Sequence, residues 1–335
     1  MFIEMRQDKV KSIAISWDNS LILKGVGIIL MLIHHLFYSE YSRALYDDVA
    51  IRGYGLVNQI GLYGKLCVAI FVFVSGYGLA KSYGTDFDWK AFYRRRFKKL
   101  YFNYWFIWLV FVPIGVFVFH RTFAEAYGDH ILVKFVLEFL GMLNLTGLLG
   151  YNPTWWFYSC IILLYALYPV LAKNYDRYLL GTVSTILPLS WFIVPLRPIS
   201  HYLLPFIAGM YVARKEVRCS GTWGTLLAII LLSVFRNISG NLVFIIDTLL
   251  CIGLASLLSV VEVPEGVKAV FKSLGKHSMN IFLFHTFIYH YWFENLVYAT
   301  RNPLMIFLSL IIPCWVISCF LEFVKDRLGF YHLCK

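Results

Sequence analysis

The stretch LKGVGIILMLIHHLFY, residues 23–38, carries one cation near its start and two adjacent imidazoles near its end. Everything between Lys24 and His34 is apolar or glycine. Eleven residues separate Lys24 from His35. At about 100° per residue they turn a helix through about 1100°, three turns plus about 20°, so the two side chains share one face. The same eleven residues rise about 16 Å, and His34 falls about 80° away on a neighbouring face. A neutral imidazole is well suited to act as a general base near neutral pH. It is equally suited to a structural hydrogen bond between helices, since a polar group deep in an apolar segment must face protein or a wet cavity. The helix alone leaves both roles open to His35.

A second group of chemically able residues lies in FYRRRFKKLYFNYW, residues 92–105. Guanidinium forks pair bidentately with phosphate oxygens. Arg96 and Lys99 stand three apart, which makes them helix neighbours able to grip one anionic group, with Arg95 beside them. The competing reading is an ordinary basic flank at the end of a membrane crossing. Just upstream, FVFVSGYGL (71–79) contains Ser75 and Gly76. Small residues there permit either close helix approach or an opening for a ligand.

The elements that must position these residues are membrane helices. Of the 335 residues, 60% are hydrophobic and only 15% charged, whereas soluble domains sit nearer half apolar and a quarter charged. Apolar runs long enough for a bilayer recur along the chain. They predict crossings at 21–38, 61–80, 101–119, 154–172, 178–195, 201–213, 225–236, 241–260, 277–297 and 303–324. The run 131–150 contains Lys134, Glu138 and Asn144, so it reads as an interfacial or re-entrant segment that hides its polar groups. The first twenty residues show no separate apolar core with a cleavage site, so the first crossing is expected to serve as the targeting signal.

The net charge of +11 raises the question of nucleic acid, and its distribution answers it. With the N-terminus inside, 22 of the 30 Lys and Arg residues fall on cytoplasmic segments, as the positive-inside rule requires. An eleventh crossing at 131–150 would invert every later loop and spoil that bias. The expectation is an all-α polytopic bundle of about ten transmembrane helices, both termini cytoplasmic, as one membrane domain over 1–335 with no separate soluble domain. Seven scattered cysteines without CxxC spacing exclude a haem, zinc or disulfide framework, and no metal site is expected. Among buried candidates, Asp247 is the deepest carboxylate; it is free to pair with a cavity cation or to cap a local contact.

Taken in order, three of these stretches resemble the acyltransferase 3 family of integral membrane acyltransferases. LKGVGIILMLIHH is similar to the family's basic residue, ten residues, then His, matched by Lys24 and His35. FVFVSGYGLA resembles its Phe-rich segment ending in Ser-Gly-Phe, with Tyr77 in the Phe place. RRRFKKLYFNYW resembles its Arg-x-x-Arg pattern, with Lys99 as the second basic residue. Weaker likenesses are PTWWFYSCIILLYALYPVL (153–171) and SLGKHSMNIFLFHTFI (273–288), which contain Trp156 and His285. Two departures stand out: Leu21 occupies a position where many members have Asp, and WWFYSC lacks the glutamate of a mid-chain Trp-Ser-Leu-x-x-Glu pattern.

The resemblance implies an O-acyltransferase in the cell membrane of a bacterium. Its donor would be acyl-CoA, usually acetyl-CoA, arriving from the cytoplasm, and no metal would be needed. Arg95, Arg96, Lys99 and Ser75 would lie on the donor side, and Lys24 would stabilise the anionic donor. His35 would deprotonate the acceptor hydroxyl. The acceptor would be a sugar of a cell-surface polysaccharide or its lipid-linked precursor. His285, His34, Trp156 and Glu138 are candidates for the substrate cavity. Partners are therefore acyl-CoA, a glycan acceptor and membrane lipids, without nucleic acid. The rival expectation is a transporter or flippase of a lipid-linked glycan, using the same buried polar groups without bond chemistry. Transporter halves often show internal repeats, and none is evident here.

Overall fold

A computed structural model describes residues 12–51, 54–173, 192, 197–218, 221–238 and 240–330. The first long helix, α1 (Trp17–Phe37), starts where the Ser16 side chain accepts from the Asn19 N–H and Asp18 meets the positive end of the helix. A short helix α2 (Glu40–Arg43) follows, then a two-residue antiparallel ladder of β1 (Ala50–Ile51) and β2 (Tyr54–Gly55). Next come α3 (Leu56–Tyr63) and α4 (Leu66–Tyr83), separated only by Gly64 and Lys65.

Helix α5 (Trp89–Phe117) is longer than the apolar run at 101–119 suggested, because the basic cluster lies inside it. Arg and Lys are good helix formers, and the Asp88 carboxylate caps the start by accepting from the Lys90 and Ala91 N–H groups. The stretch at 131–150 does not form one long helix. It forms α7 (Ile131–Phe139), preceded by α6 (Phe123–Tyr127) and followed by a single 3-10 turn at Leu143–Thr146.

The remaining helices are α8 (Trp156–Lys173), α9 (Arg197–Arg214), α10 (Thr222–Arg236), α11 (Val243–Val260), α12 (Glu265–Lys276), α13 (Ser278–Thr286), α14 (Glu294–Val297) and α15 (Pro303–Arg327). Between α13 and α14 the chain winds as a π-helix, Phe287–Trp292. The crossing expected at 178–195 lies outside the described residues apart from residue 192. Among the described residues, six helical segments are long and apolar enough to cross a membrane, and Thr222–Arg236 is a shorter apolar helix.

Helix α12 has no counterpart in the apolar runs, since its twelve residues carry Glu265, Lys268, Lys272 and Lys276. It packs along the first half of α1. Gly25 lies against the Phe271 backbone and Gly275 against the Leu21 backbone, so closely that a Cβ at either site would strike the facing carbonyl. Lys272 reaches Asp18 at 2.7 Å. The same device joins α4 to α9, where Gly76 meets the Phe206 carbonyl and Gly209 the Phe73 carbonyl. Gly76 therefore serves helix packing, the small-residue role common between membrane helices.

Candidate active site

Lys24 sits about two turns into α1, half-buried. The charged groups that act on it are Arg96 and Lys99, both from the first half of α5. The spacing of three along α5 and the position on α1 thus bring three cations to one place. Among the described residues no carboxylate forms an ion pair with any of them. Arg96 lies over the Tyr83 ring at 4.9 Å, and its buried Nε has no hydrogen-bond partner. Tyr83 belongs to an aromatic wall with Phe87, Phe92 and Tyr168. Like charges held together without a counter-ion repel one another and favour a bound anion. Arg95, like Lys99, is exposed.

Three turns further along α1, His35 lies deep within the protein yet stays partly accessible. Its ring is 4.9 Å from that of His285 on α13 and 6.2 Å from Tyr289 on the π-helix. Tyr38, one turn on in sequence, stands edge-on at 6.2 Å. Tyr289 in turn stacks on His285 at 5.9 Å. The His285 Nδ1 lies 3.1 Å from the Ile281 carbonyl and 3.0 Å from the Phe282 carbonyl. A carbonyl only accepts, so that nitrogen carries the proton and Nε2 carries the lone pair. His285 Nε2 is buried and has no partner.

His34 makes a different attachment. Its Nδ1 donates to the Gly61 carbonyl at 2.8 Å, and its ring stacks on Tyr38 at 4.4 Å. Gly61 is in the last turn of α3, and its carbonyl also accepts from the Gly64 N–H at 3.2 Å, where the chain turns into α4. His34 therefore ties α1 to α3, while His35 faces α13, as their angular separation along the helix requires.

The placement of α13 depends on residues that the apolar pattern did not single out. At Phe287 the helix changes pitch, and its N–H is directed at the Phe284 and His285 carbonyls. The Leu283 carbonyl takes side-chain donors instead: Trp155 Nε1 at 2.8 Å and Asn152 Nδ2 at 3.3 Å. Thr154 and Thr286 add a hydroxyl pair at 3.0 Å. A π-helical turn of this kind is frequent at functional sites. On the other flank, Lys325 of α15 is fully buried. It donates to Asn280 of α13 at 2.6 Å, Asn103 of α5 at 3.0 Å and Glu322 at 3.1 Å. The Asn-Pro pair before Trp155 is the one local signal in the sequence, and nothing there marks Lys325 out from other cations near helix ends.

The other candidates are dispersed. Trp156 is half-buried beside Tyr202, at 5.8 Å, away from its buried neighbour Trp155. Glu138 is buried and accepts from the Tyr127 hydroxyl and from the Tyr151 and Asn152 N–H groups, which pins α6 and α7 to the start of α8. Ser75 is half-buried, one residue from the α4–α9 contact. Asp247 is engaged by the Arg236 guanidinium, with Nη2 to Oδ2 at 3.1 Å, and so joins α10 to α11. The structure thus gathers Lys24, Arg96 and Lys99 at one end of α1, and His35 and His285 toward the other. Glu138, Trp156 and Asp247 occupy separate attachments.

Comparison with curated proteins and with solved structures gives no match. A family model described as an acyltransferase domain matches residues 19–323, which contain every residue of both clusters. The chain belongs to the acyltransferase 3 family and is a multi-pass membrane acyltransferase.

Proposed function

We propose that this chain moves an acetyl group from acetyl-CoA to a hydroxyl of a cell-surface polysaccharide or its lipid-linked precursor. The observation that carries the proposal is the division of labour along α1: an unneutralised cluster of Lys24, Arg96 and Lys99 at one end, and a partly accessible His35 about 16 Å further on the same face. The coenzyme's phosphates pair with Arg96 and Lys99, and Lys24 supports the anionic donor from α1. The pantetheine arm then runs along α1 toward His35.

At His35 a neutral imidazole takes the proton of the acceptor hydroxyl, and the oxygen attacks the thioester carbonyl. The tetrahedral intermediate collapses with cleavage of the C–S bond, and the proton passes from His35 to the departing thiolate. The products are the acylated acceptor and free coenzyme A thiol. The donor cluster lies on the cytoplasmic side in this reading, with both termini inside, about ten crossings and the envelope-facing acceptor approaching His35 from outside. The basic bias of the loops supports that orientation.

The test uses purified protein in lipid nanodiscs with radiolabelled acetyl-CoA and a polysaccharide acceptor, following thiol release and label transfer together. Replacing His35 by Ala is expected to lower turnover by about 100-fold or more, the usual weight of a general base, with unchanged insertion and elution. Equal label transfer by the variant and the wild type rules out the general-base role. Movement of a lipid-linked glycan without thiol release would identify a transporter instead.

A further inference from the structure

His285 is fully buried, and its two ring nitrogens are treated very differently. Nδ1 is held by two carbonyls of its own helix, which fixes the proton there. Nε2, on the opposite side of the ring, turns away from the α13 backbone and finds no donor. A buried acceptor without a partner is costly and uncommon, and where it persists it calls for a reason. The ring beside it is His35, at 4.9 Å and tilted by 47°. His35 forms no hydrogen bond with another described residue and stays partly accessible. One ring therefore offers a locked lone pair, and the other has an N–H to give.

We infer that His285 is the positioning residue of the proposed acyl transfer: its Nε2 accepts the N–H of His35, so that the other His35 nitrogen presents its lone pair to the acceptor hydroxyl. The inference rests on the acyl-transfer reading of the site. In the resting state both imidazoles are neutral. When His35 takes the acceptor's proton, the imidazolium formed keeps its second N–H on His285 Nε2, which bears part of the positive charge. The proton then leaves His35 for the coenzyme thiolate as the C–S bond breaks, and both rings return to their starting forms. No third proton or other reagent is required.

A carboxylate commonly plays this part for a catalytic histidine. Among the described residues, the titratable groups that act on His35 are the imidazoles of His34 and His285, and no carboxylate is among them. A neutral partner also avoids placing an uncompensated negative charge in an apolar interior. The rings do not yet share a hydrogen bond in this conformation. Their pairing requires a turn about the last side-chain torsion of His35, which is broad for imidazoles, and catalytic hydrogen bonds often tighten only with substrate bound.

The experiment measures kcat and KM for acetyl-CoA in nanodiscs for wild type, His35→Ala, His285→Leu, His285→Gln and the double variant His35→Ala/His285→Leu. Leu removes the acceptor, while Gln keeps a carbonyl oxygen near the place of Nε2. The expected result is a loss in kcat of about 10- to 100-fold for His285→Leu, the weight of one charge-assisted hydrogen bond. KM for acetyl-CoA stays within twofold, Gln restores most of kcat, and the double variant is no slower than His35→Ala alone. Unchanged kcat in His285→Leu overturns the inference. So does equal loss in the Leu and Gln variants, or a double variant slowed by the product of the two single effects, since each marks a packing role independent of His35. If His35→Ala itself turns over as fast as wild type, the general-base role of His35 fails and the inference falls with it, whereas a slow His35→Ala beside a wild-type-fast His285→Leu overturns the inference alone.

Discussion

Lys24, Arg96 and Lys99 make the clearest demand for a ligand at the level of single residues. Each is partly or fully accessible, and the three lie together without a carboxylate. If they bind phosphates, replacing Arg96 and Lys99 together by Gln raises KM for acetyl-CoA by about tenfold or more, with kcat little changed. Raising ionic strength should weaken the wild type toward the variant, because accessible charges are screened by salt. A KM that moves with neither change would leave the cluster as a topological flank alone. Lys24 and His35 were legible from spacing, because α1 is an unbroken helix and the 3.6-residue period holds along all of it. The contact between His35 and His285 was not legible, because it joins two helices 250 positions apart and no local pattern records which faces meet. The orphaned Nε2 needed coordinates too, since a tautomer is set by the partners of the ring.

Element by element, the sequence speaks clearly where a helix is apolar throughout and poorly where it is short or mixed. Helix α12 escaped the hydropathy reading because its four charged residues resemble a loop, although it packs tightly along α1. The first three turns of α5 escaped it for the same reason. The irregular winding after α13 has a visible cause only in the structure, where Leu283 exchanges a backbone donor for Trp155 and Asn152. This attachment sets how far along its axis α13 presents His285 to α1. Trp155→Phe keeps the ring and removes the donor, leaving the buried Leu283 carbonyl short of one hydrogen bond. The expected cost is about 1 kcal/mol in stability, read as earlier thermal unfolding in detergent. Turnover should fall several-fold while KM for acetyl-CoA holds, because the shift is at the His285 end. A variant as active and as heat-resistant as wild type would show that α13 is placed by its apolar packing alone.

For the molecule as a whole, the distribution of charge has a direction. The start of α1, the start of α5 and helix α12 gather at one end, with Lys268 and Lys272 beside Asp18 and Arg96 and Lys99 near Lys24. The opposite end of α1 leads into α2 and the segment after it, which hold Glu40 and Asp47; Asp47 meets Arg301, and Glu294 of α14 accepts from the Tyr41 hydroxyl. Cations on one side and carboxylates enriched on the other are what a cytoplasmic α12 and an external α2 would give. The side chains of Glu265, on α12, and Glu40, on α2, are 86% and 95% exposed, so either position tolerates a label. In a background without the native cysteines, Glu265→Cys should react with a membrane-impermeant maleimide only in inside-out vesicles, and Glu40→Cys only in right-side-out cells or spheroplasts. The reverse pattern would put the Lys24 cluster outside, beyond the reach of cytoplasmic acetyl-CoA, and would remove the donor route altogether. Labelling of both from one side would mean that α1 does not cross, and would break the approximately 16 Å path from Lys24 to His35 as a route through the membrane.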